Sequence, residues 1–269
     1  MAAKVPMVLV SGPTGVGKGA IERALALYEK LHLVSFTRRR VILYTTRRPR
    51  PGEQEGREYW YAGMPTDPSV PDAAARDEHK AHLRALVAGE TSAPTPDGLV
   101  TCQVRTDWQA IWLQDVLAAG RGLPGTVVFL EVYFRFPSRL KEALLRTPLG
   151  ARLSILSIFV APMTEIDLQK RAAEEGLEPA ELLRAEMRDR IQQRIRAGLS
   201  LESQAEVERR IATAPEEMEA SRGYDVVVVN PYGEGHPAWG GPNVLPMDGA
   251  RDVVDTIARL IEAHVRACA

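Results

Sequence analysis

A glycine-rich segment near the start of the chain has the residues that a phosphate-binding loop needs. It reads GPTGVGKG, directly follows the apolar run 7–11 and precedes 20–31, where apolar residues recur at helical spacing. Glycine permits positive φ, so successive backbone N–H groups can turn towards a phosphate, and the helix adds its positive N-terminal end. Lys18 would reach the β- and γ-phosphates of ATP. The predicted ATP site is Gly12, Pro13, Thr14, Gly15, Val16, Gly17, Lys18 and Gly19.

The loop departs in one respect from the pattern G-x-x-x-x-G-K-[ST]. Position 19 is glycine and Ala20 follows it, so no hydroxyl comes directly after the lysine. The Mg²⁺ that accompanies ATP would then be held by phosphates and waters, and we predict no metal ligand from the protein. The alternative is a glycine-rich turn that binds nothing, but the strand, the lysine and the helix are all in place.

A second group of residues, TTRRPRPGEQEGREYWY at 45–61, has the composition of an ordered anion-binding loop. Proline and glycine restrict its path, and its first part, TTRRPRPGE, carries three arginines, which together with the phenol of Tyr59 suit a doubly charged monophosphate. Taken alone, the segment is more typical of a basic surface turn. Next to a nucleotide loop, a second phosphate site indicates a kinase.

These two segments resemble those of the guanylate kinase family, GPSGVGKG and TTRxPRPGExxGxxYxF. The resemblance implies that Arg47, Arg50 and Tyr59 bind the phosphate of an acceptor nucleoside monophosphate, for which GMP is the leading candidate. It also implies a P-loop NTPase fold, a three-layer parallel sheet with helices on both faces.

The C-terminal third carries another similarity to the same family. Residues 208–230, ERRIATAPEEMEASRGYDVVVVN, are similar to the family's closing segment, and RIRAG upstream of them is similar to its lid motif. The resemblance implies that Arg194, Arg196 and Arg210 act with Lys18 in catalysis, with Arg209 as an alternative to Arg210. Lid closure would bring guanidinium groups to the transferred charge and exclude water.

The resemblance is weakest where the family reads the guanine base. Neither base-reading segment is recognisable, and Glu90 and Thr101 are the candidates because their separation is compatible. Glu131 retains the first acid of the family's LDID strand ending, while Tyr133 replaces the second. Alternative functions therefore stay open: a kinase for another phosphorylated molecule such as a ribose bisphosphate, a non-catalytic binding module, or a nucleotide-dependent switch.

The composition is that of a soluble globular protein without a global charge. The 269 residues are 45% hydrophobic and 26% charged, and the formal net charge is -1, which does not favour a nucleic acid polymer as partner. Two distant cysteines and the absence of an 18-residue apolar run predict a cytoplasmic protein without a membrane span.

Apolar strands that alternate with helices predict a parallel α/β sheet covered on both faces. We predict a single domain, 1–269, with its core at 1–45, 99–162 and 222–269, an acceptor-binding insertion at 46–98 and a helical lid at 163–221. Residues 106–119 are expected to be a helix because Thr106 and Asp107 offer an N-cap, and 38–40 a solvated face or turn.

The lid region is expected to contain a long charged helix broken near 197–199. Residues 165–193 and the loop 231–247 exceed the usual family length. We favour helices that pack on the lid, with homodimer contacts or a remodelled lid as alternatives.

Overall fold

The computed structural model is an α/β protein and describes residues 4–50, 52–90, 95–121, 124–196, 198, 204–241 and 243–269. The described strands are β1 Val5–Ser11, β2 Thr37–Arg39, β3 Leu43–Thr45, β4 Tyr59–Tyr61, β5 Leu99–Val104, β6 Asp107–Trp112, β7 Thr126–Glu131, β8 Leu153–Ala161 and β9 Val226–Val229. The described helices are α1 Lys18–Lys30, α2 Ala73–Val87, α3 Leu113–Ala119, α4 Phe136–Leu144, α5 Glu165–Glu175, α6 Pro179–Arg196, α7 Gln204–Ala212, α8 Ala214–Ala220 and α9 Asp248–Cys268.

The strands form two sheets. The larger is a parallel sheet in the order β2-β7-β1-β8-β9, flanked by helices, and this confirms the predicted fold class. β1, β7 and the second half of β8 are almost continuously buried, as apolar strands covered on both faces must be. The smaller sheet has the order β4-β3-β6-β5, in which β6 is antiparallel to both of its neighbours.

The chain divides into two compact units. Unit 1 comprises Arg38–Phe129, Arg135–Ser154 and the start of the chain up to Met7, and unit 2 comprises Val8–Thr37, Leu130–Phe134 and Ile155–Ala269. The predicted insertion 46–98 falls in unit 1, and the predicted lid 163–221 falls in unit 2. The division into one core, one insertion and one lid remains a prediction.

The helix expected at 106–119 is wrong for its first half. Asp107–Trp112 is strand β6, which forms a hairpin with β5, and helix α3 begins only at Leu113. Arg105 turns the chain with φ of 58°, and the aromatic and β-branched residues of DWQAIW favour a strand once β5 lies beside them. The Thr-Asp pair that suggested a helix start belongs to this hairpin.

Two further expectations are met only in part. Arg39 and Arg40 are exposed, as a solvated face requires, but Thr37–Arg39 is strand β2 at the edge of the larger sheet, with the Arg38 guanidinium 5.0 Å from the centre of the Phe129 ring. The charged helical region 165–210 is broken earlier than expected, since Gly176 adopts φ of 67° and a new helix starts at Pro179. Of the predicted break at 197–199, only Gly198 lies among the residues that the structure describes.

The lid region of unit 2 has its own hydrophobic core. α5, α6, α7 and α8 bury a common cluster whose members are Met163, Leu168, Ala172, Leu182, Leu183, Met187, Ile191, Val207, Ile211 and Ala214. Residues 165–193 thus lie in helices that share one hydrophobic core with α7 and α8, and their role as packing for a lid remains a prediction.

Unit 1 contains a lysine that is fully buried. Lys80 on α2 donates to Oε1 of Glu55 at 2.5 Å, to the Thr66 hydroxyl at 2.7 Å and to the Met64 carbonyl at 3.0 Å. Three acceptors satisfy all three ammonium protons, and the pair with Glu55 compensates a charge that burial would otherwise disfavour. Glu55 also accepts from the Tyr61 backbone N–H, so the pair ties the segment 53–61 to α2.

No helix in the described parts of the chain is long and apolar enough to cross a membrane.

We predict that Lys80→Met lowers the free energy of unfolding by about 3–5 kcal/mol, because it leaves the Glu55 carboxylate without its cation. Lys80→Met combined with Glu55→Gln should recover part of that loss. Urea unfolding followed by tryptophan fluorescence measures both. Arg146→Ala, which removes an exposed pair with Glu142, is the control and should change stability by less than about 0.5 kcal/mol. A loss of less than about 1 kcal/mol for Lys80→Met would contradict this account.

Candidate active site

The predicted phosphate loop is held by close backbone contacts that leave no room for side chains. Gly12, Gly15 and Gly17 have φ of 145°, 87° and 92°, where glycine is favoured. A Cβ on Gly12 would overlap the carbonyl oxygen of Val160, and one on Gly17 would lie 2.6 Å from Nδ2 of Asn230. The loop can take this path only with glycine at these positions.

Lys18 lies along the loop with its ammonium group over the backbone. Nζ donates to the carbonyl oxygens of Gly12 at 2.6 Å and Pro13 at 3.1 Å, and lies 3.6 Å from Oε1 of Glu131. Lys18 begins α1, which follows β1 after the loop 12–17, and Glu131 ends β7, the strand next to β1. The structure therefore brings together two predicted site residues at the carboxyl ends of adjacent strands, where α/β sheets bind ligands.

Asn230 supports the loop from the end of β9 and was not predicted as a site residue. Its fully buried side chain donates through Nδ2 to the carbonyls of Val16 at 2.6 Å and Tyr232 at 2.9 Å, and Oδ1 accepts from the Tyr232 N–H. Its own N–H donates to Ala161 at the end of β8. The sequence signal was available, because a polar residue that ends an apolar strand must find partners inside the protein.

Helix α6 of the lid packs directly on the phosphate loop. A Cβ on Gly15 would lie 3.1 Å from Cγ1 of Ile191, and the buried Arg190 donates to the carbonyl of Asn230 at 3.0 Å. Arg190 also pairs with Glu186 at 2.8 Å. This arginine holds α6 in place and is fully occupied with protein partners, so its role is structural.

The three predicted lid arginines lie in different surroundings. Nε of Arg194 lies 3.1 Å from Oε2 of Glu234, an ion pair whose N–H is not aligned for a hydrogen bond. Arg196 is exposed at the end of α6, 3.8 Å from Asp189, and Arg210 lies in the last turn of α7. Glu234 thus connects Arg194 to α1, because its other carboxylate oxygen, Oε1, accepts from Arg23 at 2.9 Å.

A cavity of about 330 Å³ lies beside the first two turns of α1. One wall is the α1 face that carries Ala20 and Ala24, and the other is the loop with His236, Trp239 and Val244. Nδ1 of His236 accepts from the Ala238 N–H at 3.1 Å, so a neutral ring carries its proton on Nε2. The long loop that the sequence marked as unusual therefore builds a cavity next to the phosphate loop.

In unit 1, the predicted acceptor loop, residues 45–61, orients its first arginine by an ion pair with two hydrogen bonds. Nη1 and Nη2 of Arg47 donate to the two carboxylate oxygens of Glu53 at 2.6 and 2.7 Å. The guanidinium lies 4.8 Å from the Tyr59 ring centre and 5.6 Å from that of Tyr61. Planar stacking and a bidentate carboxylate together hold the group in one orientation.

Glu53 is the centre of this arrangement. Oε2 also accepts from the Arg50 backbone N–H at 2.8 Å and from the Tyr61 hydroxyl at 2.7 Å. Burial raises the pKa of Glu53, but the hydrogen bonds from Arg47, Arg50 and Tyr61 outweigh it and lower the pKa to about 2. The pKa of Arg47 is raised, since the bonds to Glu53 outweigh the opposing effect of burial. Both partners are ionised throughout the neutral range.

The structure places the remaining acceptor candidates as follows. Tyr59 begins β4 beside Arg47, while the Arg50 side chain is exposed. Thr101 is half-buried on β5 opposite Ala110, and Glu90 is exposed just after α2. Arg47 and Tyr59 are therefore brought into contact, whereas Glu90 and Thr101 remain predictions.

Among the described residues, no group of three or more His, Cys, Asp or Glu side chains has the arrangement of a metal site. Glu131 and Glu234, the acids near the phosphate loop, lie close to Lys18 and to two arginines respectively. The expectation that magnesium is bound by nucleotide phosphates and waters stays a prediction.

Comparison with known proteins finds relatives across most of the chain, although no family model matches. The guanylate kinase of Dechloromonas aromatica (strain RCB) is 25% identical over 227 residues, which cover 83% of this chain and 80% of that protein. Guanylate kinases of Listeria monocytogenes serotype 4b and Bifidobacterium longum are each 26% identical over 224 residues, covering 83% of this chain and 80% and 85% of those proteins. A crystal structure of guanylate kinase from Anaplasma phagocytophilum is 17% identical with a TM-score of 0.43, covering 98% of this chain and 87% of that one.

The curated relatives come from different organisms and bear the same name, and each aligns with most of this chain. Their name agrees with the resemblance that the glycine loop and the acceptor loop carry independently. The chain is similar to guanylate kinases over most of its length.

Proposed function

We propose that the protein is a nucleoside monophosphate kinase that transfers the γ-phosphate of ATP to an acceptor monophosphate, with GMP as the leading acceptor. The relatives named guanylate kinase support the enzyme class. The observation that carries the proposal is the position of Lys18, whose ammonium group is held over the carbonyls of a loop built from obligatory glycines. Such a lysine can follow a phosphoryl group as it is transferred.

The donor phosphates are assigned to the loop 12–19 of unit 2, where backbone N–H groups and the N-terminus of α1 favour anions. The nucleoside end of ATP is assigned to the cavity beside Ala20 and Ala24, which has small side chains on one wall and Trp239 and His236 on the other. A cavity of this size and composition suits a flat heterocycle that is attached to the phosphates.

The acceptor phosphate is assigned to Arg47, Arg50 and Tyr59 of unit 1. Glu53 uses one edge of the Arg47 guanidinium, and Nη1 also donates to the Arg48 carbonyl at 3.0 Å. The edge formed by Nε–H and the remaining Nη2–H has no partner in the part of the chain that the structure describes. An arginine already fixed on one edge binds a phosphate with the other at little further loss of rotamer entropy.

Catalysis of this transfer needs in-line positioning and charge stabilisation rather than a covalent step on the protein. Lys18, Arg194, Arg196 and Arg210 are proposed to stabilise the transferred charge. Mg²⁺ bound with ATP would neutralise phosphate charge, and the residues around the loop fit an ion carried by the nucleotide.

A second acceptor class is favoured by the exposure of Glu90. An enzyme discriminates strongly between bases when the wrong base leaves buried polar groups of the site without hydrogen-bond partners. An exposed carboxylate such as that of Glu90 is hydrogen-bonded by water instead, so the wrong base leaves it with a partner. A phosphorylated sugar such as a ribose bisphosphate therefore remains the alternative acceptor.

We also propose a cytoplasmic location, a homodimer, and no nucleic acid or membrane as partner.

Lys18→Ala should lower acceptor-stimulated ADP release from ATP-Mg²⁺ by about 100-fold or more, because it removes the cation at the transferred phosphate. The assay uses GMP, the other nucleoside monophosphates, ribose 5-phosphate and a ribose bisphosphate. Lys30→Ala, at the exposed end of the same helix, is the matched control and should keep wild-type activity.

Each outcome of that assay assigns the function. Stimulation by GMP alone identifies the acceptor, and stimulation by a sugar phosphate alone replaces it with the second class. If ADP is released at the same rate without any acceptor, the protein is a nucleotide-dependent switch. If wild type neither turns over nor responds to any acceptor, it is a binding module and the kinase proposal is wrong.

Glu53→Gln should raise the KM for the acceptor severalfold, because Arg47 loses its fixed orientation, while the KM for ATP stays unchanged.

Glu53→Gln should also change the stability of the protein in acid. The pKa of Glu53 in the folded protein, about 2, lies below its ordinary value of 4.5, so the ionised carboxylate contributes stability above about pH 4.5 and loses it as the pH falls towards 2.

Urea unfolding between pH 7 and pH 3 measures this contribution. Wild type should lose about 1–3 kcal/mol more than Glu53→Gln over that range. Glu90→Gln, which changes an exposed carboxylate of the same unit, should follow wild type. Identical pH profiles for Glu53→Gln and wild type would refute the assigned role of the ion pair.

A further inference from the structure

The loop after β9 passes the first turn of α1 and the end of α6, and two of its glycines leave little room for a side chain. A Cβ on Gly233 would lie 3.3 Å from Cβ of Arg190 and 3.6 Å from the carbonyl oxygen of Gly15. A Cβ on Gly235 would lie 3.0 Å from the carbonyl oxygen of Gln193. The residue between these two glycines is therefore held where α1, α6 and the phosphate loop approach one another.

That residue is Glu234, whose side chain is 11% exposed. Its two carboxylate oxygens face two guanidinium groups, Oε1 that of Arg23 at 2.9 Å and Oε2 that of Arg194 at 3.1 Å. Both oxygens already face cations, so the carboxylate is not placed as a metal ligand. Its charge offsets two arginines next to an anion-binding loop.

The contact with Arg194 uses only one part of the guanidinium group. Oε2 of Glu234 lies 3.1 Å from Nε, and among the described residues no hydrogen bond involves the two Nη groups of Arg194. An arginine whose carboxylate partner lies on the Nε side keeps its terminal N–H groups for phosphate oxygens.

Gly19 makes this arrangement sterically possible. A Cβ at position 19 would overlap Oε1 of Glu234, although the backbone of Gly19 is helical and accepts any residue. The departure from the usual phosphate-loop pattern at position 19 thus makes room for the carboxylate. A side chain there would displace the mobile end of Glu234 rather than the backbone.

The geometry points to Glu234 as a positioning residue that fixes Arg194 beside the phosphate loop, so that its Nη groups meet the phosphoryl group that is transferred. This inference rests on the proposed kinase function. It adds a residue that neither the glycine loop nor the lid motif identifies.

The test compares Glu234→Ala, Glu234→Asp and Arg194→Ala in the acceptor-stimulated assay. Glu234→Ala should lower kcat about 30-fold while the KM for ATP changes less than about fivefold, because the lost interaction acts on the transferred group. Glu234→Asp should restore part of kcat. In the Arg194→Ala background, Glu234→Ala should reduce kcat by less than about threefold, since the two changes remove one interaction.

The matched control is Glu208→Ala, which removes an exposed ion pair with Arg188 elsewhere in the lid and should leave kcat unchanged. Gly19→Ala should reproduce the kcat loss of Glu234→Ala, and the double variant should be no slower than either single variant. A full kcat effect of Glu234→Ala in the Arg194→Ala background would overturn the inference, and so would wild-type kinetics for Glu234→Ala.

Calorimetry with ADP and a non-hydrolysable ATP analogue provides a readout without turnover. Glu234→Ala should weaken binding of the analogue about two- to fivefold and leave ADP binding unchanged, because only the analogue carries the third phosphate. If wild type shows no turnover but this difference is present, the kinase proposal fails and the role of Glu234 stands. If the variant binds both nucleotides as wild type does, or if neither nucleotide binds wild type, the role of Glu234 is refuted.

Discussion

Contact of backbone with backbone is the constraint on which the phosphate loop depends. Gly12 lies against the carbonyl of Val160, and Gly17 lies against the side chain of Asn230 and the carbonyl of Tyr232. A loop with side chains at these points would stand away from β8 and from the segment after β9, and the carbonyls of Gly12 and Pro13 that hold the ammonium group of Lys18 would move with it. The position of the lysine is therefore a consequence of missing Cβ atoms.

The predicted acceptor loop of unit 1 also orients a cationic side chain, but by a different kind of interaction. Arg47 is oriented by charge and by two tyrosine rings rather than by steric exclusion, and Glu53 is kept ionised by the donors that surround it. Glu55, two residues further on, is in turn anchored by the buried Lys80. Lys18 and Arg47, two of the residues proposed to bind phosphates, are thus oriented by protein partners, which would reduce the entropy that binding must overcome.

Local features could be predicted from the sequence, and long-range ones could not. The glycine loop, Lys18 and the Arg47–Tyr59 contact depend on residues close together in the chain, so their spacing was informative. The hairpin of β5 and β6 was missed because Thr106 and Asp107 also fit a helix start, and only the neighbouring strand decides between the two. Glu234 lies about 200 residues from the loop that it adjoins, and no local pattern marks that approach.

Gly19 can be interpreted in two ways. In the sequence, it leaves the loop without the hydroxyl of the general phosphate-loop pattern, as the family's GPSGVGKG also does. In the structure, the same glycine admits a carboxylate that lies between Arg23 and Arg194, and a serine or threonine would exclude it. Since a nucleotide brings its own metal ion held by phosphates and water, the hydroxyl is the more dispensable of the two groups. The altered motif is therefore compatible with a working phosphate site in which arginine placement takes precedence over a direct metal ligand.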